Sequence, residues 1–264
     1  MKVGSLGTIT NLFFARWNGV VLERDQHWVI KTPSNPGFHW GNYLLFTRAP
    51  EAQDVTRWVE LFDQELNYGS TPHHYAFAWE GEHGEGDLAP FLAEGFQHET
   101  SVVLTANKLV AAKPTKRPFE VKTLETDEEW LAACELQIAC GDPSFARGYR
   151  EFKERQMRGY RKLAEQGKGD WFGGFVDGEL VADLGVFHHE GIGRYQNVGT
   201  HPDHRRQGFC GELVYQAGRY VQTHYQVETL VMEADPGYHA ARIYESVGFS
   251  ASPTVNHQLS RWPR

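Results

Sequence analysis

The chain has 264 residues, 41% of them hydrophobic and 23% charged, and a net charge of -8. That length favours two domains, no apolar run approaches the roughly 20 residues that span a bilayer, and the negative charge opposes the counterion release that drives binding to nucleic acid. Three cysteines, Cys134, Cys140 and Cys210, form neither a disulfide framework nor a metal-ligand pattern, and the N-terminus lacks a secretory leader pattern, so a cytoplasmic protein without membrane or nucleic-acid partners is expected.

In chain order, β-favouring runs occupy Val20–Leu22, Trp28–Ile30, Tyr43–Phe46, Tyr75–Trp79 and Val102–Leu104. Between them, Val55, Trp58, Val59, Phe62 and Leu66 follow helical spacing within Ala52–Leu66. The stretch Lys108–Pro118 carries two prolines and four basic residues without apolar periodicity, as an exposed linker does. It predicts a first domain over 1–112, a linker over 113–118 and a second domain over 119–264.

The second domain opens with a strand at Phe119–Thr123, then Thr126 and Glu129 make a capping-box pattern for a helix reaching Ala139. A second helix is predicted over Phe145–Gln166, with seven Lys or Arg against three Glu. We read its charges as a solvated face rather than a patch for acidic partners. Strands at Trp171–Val176 and Leu180–Phe187 flank Asp177-Gly178, a hairpin signal. There follow a strand at Gly193–Thr200, a helix at Gly208–Thr223, a strand at Thr229–Ala234, a helix at His239–Val247 and a last strand from Phe249.

Two short matches suggest an internal repeat. Arg48-Ala49-Pro50-Glu51 resembles Thr200-His201-Pro202-Asp203, and Phe91-Leu92-Ala93-Glu94-Gly95-Phe96 echoes Tyr244-Glu245-Ser246-Val247-Gly248-Phe249. The matches occur in the same order and nearly the same register, which favours a duplicated domain.

The segment richest in chemistry is Val198–Gly211, read as strand, turn and helix. Pro202 ends the strand. Gly208 and Gly211 leave the helix N-terminus free of side chains, and its unpaired N–H groups, with Arg205 and Arg206 beside them, suit an anion. A strand-to-helix turn whose glycines only permit close packing would have the same spacing. The order of glycines fits neither a dinucleotide fingerprint nor a phosphate loop with Gly-Lys-Ser/Thr.

Arg205-Arg206-Gln207-Gly208-Phe209-Cys210 resembles the Gln/Arg-x-x-Gly-x-Gly/Ala motif of the GNAT family of acetyltransferases, with Cys210 at the small-residue position. Tyr238–Phe249 resembles the family's closing segment at Ala240, Tyr244, Gly248 and Phe249, with Gly237 where the family has Asn. Read without the family, Ala240, Ile243, Tyr244 and Val247 make a core stripe ended by Gly248. The resemblance implies an α/β (α+β) fold of tandem GNAT-like domains, each a mixed, mainly antiparallel twisted sheet flanked by helices.

It further implies transfer of an acetyl group from acetyl-CoA to a primary amine of a small molecule or peptide. By it, Val198 and Thr200 offer main-chain N–H groups to the pantetheine arm and thioester, and Arg205, Arg206, Gln207, Gly208, Phe209, Cys210 and Gly211 hold the pyrophosphate. Tyr244 corresponds to the general acid. Glu233 and Asp183 are two candidate bases, each of which could equally be a solvent-facing carboxylate. The alternative is a non-catalytic sensor of CoA or a scaffold. A monomer or homodimer is expected, and no metal, since the pairs His73-His74, His188-His189 and His201 with His204 have no evident third ligand.

In the first domain, Gln53–Trp58 occupies the place of Arg205–Cys210. Thr56 and Trp58 replace the small residues, and Glu51 with Asp54 put negative charge where a phosphate would lie. That half is expected to bind no CoA.

Overall fold

In this computed structural model, residues 3–66, 74–141, 148–237 and 240–262 are described. They form α1 (Leu6–Asn18), β1 (Val20–Glu23), β2 (His27–Lys31), β3 (Tyr43–Phe46), α2 (Asp54–Leu66), β4 (Tyr75–Trp79), α3 (Ala89–Ala93), β5 (Gln97–Ala106), β6 (Glu120–Thr123), α4 (Asp127–Ala139), α5 (Tyr149–Glu165), β7 (Gly169–Val176), β8 (Glu179–His189), β9 (Ile192–Thr200), α6 (Phe209–His224), β10 (Thr229–Ala234), α7 (Ala240–Ser246) and β11 (Ser250–Arg261). The start of the charged helix expected at Phe145, and His73, Tyr238 and His239, lie outside the described residues.

The chain divides into two compact units, 1–103 with 252–264, and 104–251. The segment expected as a linker, 113–118, thus falls within the second unit, and the final residues belong with the first. Each unit is a mixed, mainly antiparallel sheet with flanking helices, the fold class expected from the sequence.

In the first unit, β1, β2 and β3 pair antiparallel, β3 and β4 parallel, and β4 and β11 antiparallel, with β5 beyond β11. Its core is aromatic: Trp58 of α2 stacks on Phe46 with centroids 3.6 Å apart, and Phe62, Phe77 and Phe91 complete the cluster. α1 has no counterpart in the sequence reading. Thr8, Ile9 and Thr10 are poor helix formers, and its entry is fixed from far away, by the Glu80 carboxylate accepting from Gly4 N at 3.0 Å and Ser5 N at 2.9 Å.

In the second unit the strands run β10-β9-β8-β7-β6, with only the β10–β9 pair parallel. The β7–β8 turn has Asp177 at φ 52 and Gly178 at φ 83, the two positive values of a type I′ hairpin turn. The capping box forms: Glu129 N donates to Thr126 Oγ1 and Thr126 N to Glu129 Oε2. α4 and α5 cover one face, where Trp171 meets Trp130 and Tyr160. α6 covers the other, where Phe172 meets Tyr220 and the Tyr195 hydroxyl donates to Val214 O.

The repeat seen in the sequence has a structural counterpart. β3-α2-β4-α3-β5 in one part of the chain and β9-α6-β10-α7-β11 in the other follow the same order, and in both the strands flanking the first helix are parallel.

Candidate active site

β9 and β10 are paired only at Thr229 with Ile192, Leu230 with Gly193 and Val231 with Arg194. Beyond these residues both strands continue, to Thr200 and Ala234, without pairing with each other, so a cleft opens between Tyr195–Thr200 and Met232–Ala234. The chain turns at its end, through a 3-10 turn at Pro202–His204, into α6.

That turn has the backbone of an anion cradle. Arg206 has φ 63 and Gly208 φ 89, and Gly208, the N-cap of the 16-residue α6, has no side chain with which to satisfy the helix's first N–H groups. Arg205 and Arg206 are exposed, and no carboxylate side chain belongs to residues 204–211. These features fit a pyrophosphate. The α-carbon of Gly208 faces a different neighbour: a Cβ there would lie 3.4 Å from Pro114 O and from Thr115 Cα. Lys116 N donates to Gln207 O at 3.0 Å, so residues 112–116 pack on the loop instead of forming a free linker. Phe209 is buried, stacked on Phe119 at 4.7 Å. Burial pushes the Cys210 thiol up to about 12, so this cysteine serves as a small apolar residue and not as a nucleophile.

Tyr244 and Glu233 belong to opposite faces of the sheet. Tyr195, on the α6 face, meets Phe249 at 5.7 Å, and Phe249 meets Tyr244 at 6.5 Å. Tyr244 is 6% exposed. Glu233 lies two positions past the last paired residue, Val231, on the same face as Arg194. The Arg194 guanidinium donates to its Oε2 at 2.6 Å, with side-chain exposures of 6% and 13%. The guanidinium fixes the carboxylate in place.

Asp183 is 0% exposed. Its Oδ1 accepts from Gln137 Nε2 of α4 at 2.7 Å and its Oδ2 from Trp171 Nε1 at 2.9 Å. Burial raises it to about 7 against these two donors and the charge of Lys153. Neither candidate base is therefore a solvent-facing carboxylate. Lys153, read from the sequence as part of a solvated face, is also buried; its ammonium lies 3.1 Å from Gln156 Oε1, and burial lowers its proton affinity. Helical spacing held the signal, because Lys153 and Gln156 align with Tyr160 and Leu163 on the packed side of α5. Arg194, Gln137 and Trp171 gave none.

In the first unit, Asp25, Thr47, Glu80 and His83 help to line a cavity of about 360 Å³. Among the described residues, Glu80, Glu82 and His83 bring one ligand atom each within 4.8 Å of one another. Glu80 already accepts two main-chain N–H groups in α1's cap. No helix of the described residues is long and apolar enough to cross a membrane.

Residues 130–249 match the acetyltransferase (GNAT) family model. Among solved structures, the chain is similar to a functionally unknown conserved protein from Staphylococcus epidermidis, at 13% identity and a TM-score of 0.72, covering 92% of this chain and 93% of that one. It is also similar to a GCN5-related N-acetyltransferase from Kribbella flavida, at 12% identity and a TM-score of 0.66, over 98% and 95% of the two chains. A tandem GNAT protein from the clavulanic acid biosynthesis pathway aligns at 14% identity and a TM-score of 0.54, over 90% and 83%. At such identities these likenesses show a shared fold. No curated protein matches the sequence.

Proposed function

We propose, for a chain whose residues 130–249 are an acetyltransferase domain of the GNAT family, that it moves an acetyl group from acetyl-CoA to a primary amine of a small molecule or peptide in the cytoplasm. The observation that carries this reading is the parting of parallel β9 and β10 directly before a glycine-capped helix with two exposed arginines. The pyrophosphate of CoA lies on the main chain of Arg205–Gly211, and its thioester enters the cleft, where the N–H groups of Val198 and Thr200 receive the developing oxyanion. The amine attacks the carbonyl carbon, the C–S bond breaks, and the departing thiolate takes a proton from the Tyr244 hydroxyl. Glu233, on the opposite face, receives the amine proton, directly or through water.

A second reading, a CoA sensor without turnover, draws on one observation: both candidate bases are already engaged, Glu233 by Arg194 and Asp183 by Gln137 and Trp171. Thiol release from acetyl-CoA over a panel of amines separates the two, since a sensor binds CoA but releases no acceptor-dependent thiol. With a responsive amine, Tyr244→Phe lowers kcat about ten-fold or more and leaves CoA affinity within about two-fold. An unchanged kcat would remove the acid role.

A further inference from the structure

The geometry points to Asp183 and Gln137 as positioning residues that lock a bulge in β9 at Asn197–Val198 and thereby aim the main-chain amide of Thr200, beyond it, into the cleft.

The pairing of β8 with β9 steps from Gly185 opposite Gln196 to Asp183 opposite Gly199. Asn197 and Val198 thus stand against the single residue Leu184, which is a bulge. Asn197 takes φ 48, a conformation that asparagine tolerates but that needs support. Two helices provide it. Gln137 Nε2 donates to Asn197 O at 2.6 Å and to Asp183 Oδ1, so both amide hydrogens are used. Asn197 Nδ2 donates to Gln156 Oε1 at 2.9 Å, the same oxygen that meets the Lys153 ammonium. Gly199 completes the fit, because a Cβ there would lie 2.9 Å from both Asp183 Oδ1 and Gln137 Nε2.

A fully enclosed carboxylate is costly unless its hydrogen bonds are made; here they come from Trp171 of β7 and from Gln137, which in turn holds Asn197 O of β9. The consequence for the amides follows from alternation. His201 N donates to Val181 O of β8 at 2.9 Å, so the N–H of Thr200, one residue earlier, points to the other edge, toward β10. A slip of the bulge would turn this amide back toward β8. Asp183 therefore acts through Gln137 on the strand and not on the amine.

The consequence for turnover rests on the acetyl-transfer reading; the structural claim does not. Gln137→Leu removes both donors at similar volume. Amide hydrogen exchange at residues 197–200 should quicken about ten-fold or more while β7 keeps its protection. With a responsive amine, kcat should fall about ten-fold with KM for acetyl-CoA within about two-fold. Asn197→Gly, which accepts the positive φ but gives up the tie to Gln156, should shift exchange in the same direction if Gln137→Leu does not fold. Asp183→Asn should lower kcat and keep the midpoint of the acidic limb of its pH profile. Unchanged exchange at 197–200, or loss of that limb in Asp183→Asn, would overturn the positioning role. If the native protein releases no thiol with any amine, the acetyl-transfer reading fails, and exchange alone decides the lock.

Discussion

The two strand–turn–helix segments, Phe46–Trp58 and Val198–Cys210, use one scaffold for opposite ends. In the second unit, the helix begins at a bare glycine with arginines exposed beside it. In the first, α2 begins at Asp54, whose carboxylate is itself the anion: it accepts from Glu51 N at 2.8 Å and is gripped by Arg48 through both terminal nitrogens, at 2.5 and 2.7 Å. Trp58 then fills the position of Cys210 and is 1% exposed in the core. The second match repeats the contrast. Phe96 N donates to Phe91 O and Phe249 N to Tyr244 O, so both helices end in the same way, but Phe91 has no hydroxyl where Tyr244 has one. The first unit's helix start thus meets its donors from within, on the same strand–turn–helix scaffold.

Trp58 offers the strongest test of this contrast between the two units. If it is core and not a blocked cofactor site, Trp58→Ala costs about 3 to 5 kcal/mol of stability and creates no CoA site. Urea unfolding and a CoA titration together check this. A stable variant with a gained site would mean that the tryptophan merely plugs a retained cradle.

Next comes the exchange of a first-unit residue into the second. Gly208→Thr places a β-branched side chain at φ 89, roughly 1 to 2 kcal/mol of backbone strain, against Pro114 and Thr115. CoA affinity is expected to fall about 100-fold, or about 2.7 kcal/mol, from a starting stoichiometry of one CoA per chain. Calorimetric titration gives both numbers. Affinity retained within about three-fold would assign the glycine to packing against residues 112–116 rather than to a phosphate.

The comparison also marks what a sequence can disclose. Local signals were readable: the capping box at Thr126 and Glu129, the Asp177-Gly178 turn, the glycine that starts α6, and the strands of both sheets. What escaped depends on partners far along the chain. α1 is capped by a carboxylate 75 and 76 residues away. Ser252–Arg264 joins the first unit because β11 lies against β4, with Leu259 opposite Phe77, and no local pattern specifies that choice. The bulge at Asn197 has no glycine to announce it, since its positive φ is held by Gln137 and Gln156 from two helices. For the same reason Asp183 and Glu233 could be named as acids but not placed, because their roles follow from Trp171, Gln137 and Arg194.

The smallest effect tests the first unit's self-made anion most directly. Asp54→Ala removes the acceptor for Glu51 N and the two-point partner of Arg48, which keeps the Glu51 carboxylate at 3.8 Å, a change comparable to losing a helix N-cap at about 1 kcal/mol. The freed helix end would then carry unpaired donors and a cation, with Glu51 still beside Arg48. If charge alone made the site, this variant would bind CoA or inorganic pyrophosphate through its first unit, raising the stoichiometry above that of the native chain. The expected result is a modest loss of stability and no second site, because Thr56 and Trp58 still deny the close main-chain approach that Gly208 and Cys210 allow. That result would assign the difference between the two helix starts to main-chain access more than to charge.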